Sequence, residues 1–184
     1  MTISQSELVT ATTAFQTSVI SQLHSGKTDT DKSYHISLWD FGGQFVYYST
    51  HQLFHSKESV YLLVFDLSKR LDEKVKDEIG REKSLKDYLE FWVYSIHCFV
   101  GGEMSTIDKS LSPCIVLIGT HKNDPKSKQY GIKKYFTKVR KMFFNTYLRN
   151  HFHKDNFAVD NCMECDEMDY ERLRKAIENV SAPS

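Results

Sequence analysis

Asp40-Phe41-Gly42-Gly43-Gln44 stands directly after an alternating, aromatic stretch, Tyr34-His35-Ile36-Ser37-Leu38-Trp39. A carboxylate that closes a strand, with a glycine three positions on, suits chemistry at a phosphate. Asp40 would hold a magnesium ion through a bound water, Gly43 would present its backbone N–H to a terminal phosphate, and Gln44 would orient an attacking water. Lacking a side chain, Gly43 also suits a loop that must hinge. Asp-x-x-Gly is short, and many turns satisfy it. Its place at the carboxyl end of a strand, with glutamine next, is what lifts it above chance.

A second turn, Gly119-Thr120-His121-Lys122-Asn123-Asp124, follows the apolar run Cys114-Ile115-Val116-Leu117-Ile118. It resembles the guanine-specificity motif Asn-Lys-x-Asp in its Thr-His-x-Asp variant, where a carboxylate accepts two hydrogen bonds from guanine N1 and N2. Adenine cannot donate them. The register has two solutions. Counted from Gly119, Asn123 takes the carboxylate position; with a one-residue insertion, Asp124 takes it. Asparagine offers a single acceptor and would weaken guanine discrimination. As a plain helix-starting turn, Asn-Asp-Pro would need no ligand at all. A third turn, Asp160-Asn161, follows Asn156-Phe157-Ala158-Val159; it occupies the place where a backbone N–H would touch guanine O6.

The elements that must position these turns are legible from period and composition. Ser4 and Glu7 form a capping box ahead of Leu8, Ala11, Phe15, Val19 and Leu23, whose spacing predicts a helix over 5–24. Residues 25–33 read as a loop, and 34–39 as a strand. Ser59 to Phe65 and Cys114 to Ile118 are nearly continuous apolar runs, as in strands covered on both faces of a parallel sheet. A helix over 81–99 would turn Leu85, Leu89, Trp92, Ile96 and Phe99 inward. One over 131–152 would do so with Ile132, Phe136, Val139, Phe143 and Tyr147, and one over 168–180 with Leu173, Ile177 and Val180. Residues 104–112 read as an exposed insertion. Strands alternating with helices specify an α/β fold with a mostly parallel sheet and helices on both faces, and ligands there sit at the carboxyl ends of the strands. Residues 1–33 form an N-terminal helix and loop, and 34–184 the domain core.

The 184 residues suffice for one domain, and 24 Lys plus Arg balance 24 Asp plus Glu. A net charge of zero gives no electrostatic case for nucleic acid or an anionic membrane. The basic stretch Lys133, Lys134, Lys138, Arg140 and Lys141 reads as a solvated helix face. No apolar run approaches the roughly 18 residues of a membrane span, and the N-terminus lacks the pattern of a secretory signal. Four cysteines are too few for a disulfide framework, so a reducing, cytoplasmic setting is expected. Cys162-x-x-Cys165 with His151 and His153 could supply zinc ligands; a polar loop is the simpler account. His51 and His55 read as loop or packing residues, and Cys98 and Cys114 as core.

Linked blocks in order then resemble the Roc domain of the ROCO proteins. They are Trp39 to Gln44, Tyr48-Ser49-Thr50-His51-Gln52-Leu53-Phe54, Tyr61 to Ser68, Leu89 to His97, Gly119-Thr120-His121, and Val159-Asp160-Asn161 with Leu173 to Ile177. The resemblance spans roughly 34–180 and implies a Ras-like P-loop NTPase fold that binds GTP and GDP with magnesium, hydrolyses slowly and switches between nucleotide states. It also implies an adjoining COR domain or a homodimer in a longer protein. A non-catalytic pseudo-GTPase scaffold is the alternative. The family's phosphate loop, Gly-x-x-x-x-Gly-Lys-Ser/Thr, finds only Ser21-Gln22-Leu23-His24-Ser25-Gly26-Lys27-Thr28. Serine stands there for the first glycine, and Asp40 follows too soon for a helix, a switch segment and a strand. The loop and its strand are therefore expected upstream of Met1.

In the Ras-like sheet that strand lies between 34–39 and 60–65, so its loss would leave apolar side chains and backbone groups uncovered. The isolated chain is expected to be unstable, or to fill the gap by some rearrangement, and not to melt as an ordinary mesophile domain does at about 45–65 °C. A sharp transition inside that range, with dispersed amide resonances, would contradict this.

Overall fold

A computed structural model describes residues 37–41, 55–76, 80–106, 110–160 and 167–181. The chain falls into two compact units, Met1–Gly42 and Gly43–Ser184. In the first, residues 37–41 carry no regular secondary structure. Leu38 and Trp39 are 49% and 60% exposed, so the part of the expected 34–39 strand that is described lies largely at the surface. The expected helix over 5–24, the loop 25–33 and residues 42–54 of the switch segment lie outside the described residues.

The second unit is built on β1 (Tyr61–Asp66). Two short strands follow, β2 (Lys74–Lys76) and β3 (Glu82–Ser84), then α1 (Leu85–Val100), β4 (Glu103–Met104) and β5 (Leu111–Ser112). Next come β6 (Ile115–Thr120), α2 (Pro125–Tyr130), α3 (Ile132–Met142), a 3-10 helix Tyr147–His151, β7 (Phe152–Ala158) and α4 (Glu167–Ser181). β1, β6 and β7 form one sheet in the order β1-β6-β7, and both pairings are parallel. This is the expected α/β class.

β6 is central because all of Ile115, Val116, Leu117 and Ile118 are buried. One face carries Leu63, Phe65, Ile115 and Leu117 against Leu89, Val93 and Ile96 of α1 and Phe136 and Val139 of α3. The other carries Val116, Ile118 and Phe157 against Ala176 and Leu173 of α4. β1 departs from the expectation of two covered faces. Leu63 and Phe65 are buried while Leu62 and Val64 are 37% and 56% exposed, the alternation of a strand covered on one face.

α1 starts at a Ser84–Asp87 capping box. The Asp87 N–H donates to Ser84 Oγ at 3.2 Å, and the Ser84 N–H to Asp87 Oδ2 at 2.7 Å. Its buried face runs through Leu89, Val93, Ile96 and Val100, rotated from the expected stripe so that Phe99 is exposed. The single helix expected over 131–152 is broken. It starts as expected, as α3 just after Gly131 (φ +74°), but the chain leaves α3 at Phe143 before the 3-10 helix, so Tyr147 points to solvent. Residues 104–112 are not a free insertion either. Met104 pairs with Leu111 in an antiparallel ladder, and Leu111 is buried.

β7 starts four residues earlier than expected, and its pairing with β6 shifts register between Ile115 and Leu117. Arg140 stitches that irregularity. Its guanidinium donates to Asn156 Oδ1 (2.8 and 3.0 Å) and to the His153 carbonyl, and lies over the Phe152 ring. One member of the basic stretch is thus a half-buried structural cation, with burial drawing its pKa down.

His151, 1% exposed, closes the opposite end of the sheet. Its Nδ1 lies 2.8 Å from the Pro113 carbonyl, which only accepts, so Nδ1 carries the proton. Nε2 must then accept from His97 Nδ1 at 2.9 Å. Burial holds the His151 pKa below its ordinary value of 6.5, the Pro113 bond acts the other way, and His97 lowers it further. The unfolded chain therefore binds this proton more readily than the folded one. The stabilisation is complete above about pH 6.5 and is lost as pH falls through the depressed folded value. Urea midpoints are expected to fall between pH 7.5 and 5, and His151→Asn is expected to flatten that slope.

Candidate functional site

All three parallel strands end on one edge of the sheet, and three turns lie side by side there: Asp66 to Ser68, Thr120 to Asp124, and Val159 to Asp160. β6 delivers the middle turn. Gly119 is required at its end, because a Cβ would stand 2.6 Å from Leu67 Cγ, and Leu67 is 1% exposed. The Leu67 N–H donates to the Thr120 carbonyl at 3.2 Å, which fastens the first turn to the second.

Thr120 donates its hydroxyl to the Phe65 carbonyl at 3.3 Å. That leaves its oxygen to accept from His121 Nδ1 at 3.0 Å, and the same nitrogen lies 3.2 Å from Asp66 Oδ1. One Nδ1–H shared between two oxygens accounts for both distances. His121 adopts φ +57°, a left-handed conformation uncommon outside glycine. Asp66 Oδ1 also accepts from the Ser68 N–H (2.8 Å) and hydroxyl (2.7 Å).

The second and third turns are joined by the backbone. The Val159 N–H donates to the Gly119 carbonyl at 2.8 Å, and the Lys122 N–H to the Val159 carbonyl at 3.2 Å. The Asn123 N–H then donates to Asp160 Oδ2 at 2.9 Å. Asn123 is exposed, and among the described residues its carboxamide has no hydrogen-bond partner. Asp124 is the N-cap of α2: its Oδ1 accepts the Lys126 N–H at 2.8 Å, and Pro125 follows at the first helical position. α4 braces both turns from outside. Lys122 forms a half-buried ion pair with Asp169, and the Tyr170 hydroxyl donates to the Asp160 carbonyl at 2.9 Å.

Thr120, His121, Asn123 and Asp160 are thus drawn together at one edge, while the Asp124 side chain faces a helix start. Asp40 is described in the first unit, where it is exposed. Gly43, Gln44 and Asn161 lie outside the described residues, as do Cys162 and Cys165. Among the described residues no three His, Cys, Asp or Glu side chains stand close enough to hold a metal ion, and no helix is long and apolar enough to cross a membrane. Sequence reasoning missed Asp66, Asp169 and Tyr170, and the ion pair that Lys122 makes. Asp66 had a signal, an acidic residue closing an apolar strand just as Asp40 does; the α4 contacts had none, since they pair positions 47 and 10 residues apart.

The family model described as Ras of Complex, Roc, domain of DAPkinase matches residues 1–107, more than half of the chain. The chain belongs to the Roc family. Roc domains are Ras-like and nucleotide-binding, which agrees with the parallel sheet and its helices on both faces. Curated relatives come from Dictyostelium discoideum. "Probable serine/threonine-protein kinase roco5" is 40% identical over 88 residues, 48% of this chain and 2% of that protein. "Probable serine/threonine-protein kinase pats1" is 32% identical over 89 residues, again 48% and 2%. "Cyclic GMP-binding protein C" is 36% identical over 86 residues, 47% and 2%. This Roc chain therefore spans about one-fiftieth of the length of these relatives. No solved structure matches it. The family match ends before Gly119, so the second and third turns stand on their own geometry.

Gly119→Ala is expected to destabilise the second unit by about 1–3 kcal/mol, because buried Leu67 cannot give way. Chemical denaturation measures this. A loss within experimental error of zero would mean that the tips of β1 and β6 do not pack as described.

Proposed function

We propose that this Roc domain holds a guanine-type purine nucleotide at the carboxyl edge of its sheet and serves as a nucleotide-dependent switch in a longer protein. The observation that carries the reading is the bond from the Asn123 N–H to Asp160. It locks two strand-tip turns together where doubly wound sheets take their ligands. Thr120, His121, Asn123 and Asp160, with Asn161, form the purine side. Asp124 shapes the turn by capping α2 and is the second choice as the base-reading carboxylate.

On the phosphate side, Gly43 would offer its N–H to the terminal phosphate and Gln44 would orient water. Asp40 would hold magnesium through water; the ion, when bound, neutralises phosphate charge. The three belong to one short segment, so the state of the terminal phosphate would be felt along residues 40–58. In the longer protein, a COR domain or a second copy would receive that signal. One observation favours a second reading, a pseudo-GTPase scaffold: Asn123 stands where a carboxylate would discriminate guanine.

Titration of the full chain with a fluorescent GTP analogue separates the two. Micromolar binding with slow hydrolysis, and Gln44→Leu abolishing hydrolysis while leaving binding in place, is the outcome expected of the switch. Absence of binding at millimolar nucleotide would leave the scaffold.

A further inference from the structure

We infer that the purine site of this chain selects xanthine over guanine nucleotides, with Asn123 as the residue that decides; this rests on the purine reading of the strand-tip turns. Three observations converge on Asn123. Its backbone is pinned, because its N–H donates to Asp160 Oδ2 at 2.9 Å and the preceding Lys122 N–H donates to Val159 at 3.2 Å. Its carboxamide is exposed at the sheet edge with no partner among the described residues. The neighbouring carboxylate that could have taken its place, Asp124, is engaged 2.8 Å from the Lys126 N–H at the start of α2. The side chain that this turn presents is therefore a carboxamide.

Hydrogen-bond arithmetic then sets the preference. A carboxylate only accepts, and guanine offers two donors side by side, N1–H and the N2 amino group. A carboxamide accepts at oxygen and donates at nitrogen. Against guanine, one pair forms and the amide N–H of Asn123 confronts the N2 amino group, donor to donor. Xanthine keeps N1–H and replaces the amino group with a carbonyl at C2. There Asn123 Oδ1 accepts from N1–H and Nδ2 donates to the C2 oxygen, so both pairs form. Adenine, with an acceptor at N1 and no group at C2, satisfies one. A bidentate pair of this kind separates matched from mismatched bases by roughly tenfold to a hundredfold.

The test is competition for a fluorescent nucleoside diphosphate on the full chain, with GDP, XDP and ADP against the unmodified chain and Asn123→Asp. The substitution changes an exposed side chain with no bonds to lose, so equal melting temperatures verify the fold. The expected result is XDP tighter than GDP by about tenfold or more, with Asn123→Asp reversing the order. GDP preferred by the unmodified chain, and unmoved by the substitution, would assign discrimination to Asp160 and overturn the inference while leaving the purine site standing. Equal affinities for XDP and GDP would overturn it too. No binding of any diphosphate by either chain would remove the purine site itself, and the inference with it.

Discussion

From Ile115 to Gly119 every residue is buried, and the rest of the second unit follows from that constraint. A strand buried on both faces must have each backbone group paired sideways and each side chain covered above and below. β1 and β7 supply the pairing. Helices α1 and α3 cover one side and α4 the other. With both neighbours parallel to it, β6 must deliver its carboxyl end to the same edge as theirs. The candidate site is therefore placed by burial of four apolar side chains before any polar residue takes part.

At that edge the geometry is held mainly by main-chain groups. The Leu67, Lys122, Asn123 and Val159 N–H groups each bridge to the adjacent turn. Such bonds fix positions without specifying a ligand, and they leave the side chains of Thr120, His121 and Asn123 as the variable chemistry. The left-handed His121 fits this division. Its backbone is turned so that Nδ1 reaches Thr120 and Asp66 together, and the strain is borne by a residue whose ring ties two strand tips.

What sequence alone revealed followed period and apolarity. Ile115 to Ile118 could only be a buried strand, and the turns behind it were found by asking what comes next. The start of β7 was hidden because His153, Lys154 and Asp155 are polar; a register shift and Arg140 accommodate them, and neither leaves a periodic trace. The stripe on α1 was misjudged because Phe99 is large and apolar yet points outward, while the smaller Val93 and Val100 fill the core. The helix expected over 131–152 stops at Met142, because Phe143 leaves the helical path, a decision of the local backbone and not of hydrophobic pattern. At the site, Thr120 through Asp124 and Asp160 were visible as strand-end residues, whereas the capping role of Asp124 depends on the N–H of Lys126, which the folded turn brings within reach.

The brace from α4 has a mechanical side. Asp169 and Tyr170 sit near the first turn of a 15-residue rod, and Ala176, buried against the sheet, is its fulcrum. The arm from Ala176 to Asp169 is about 10 Å, so a tilt of only ~6° swings that end by about 1 Å. The Tyr170 bond, 2.9 Å long, cannot stretch that far and survive, and the Lys122 pair would lengthen with it. A modest torque on the distal half of α4 would thus loosen both loops at once, which makes the rod a lever between whatever grips its tail and the pocket edge.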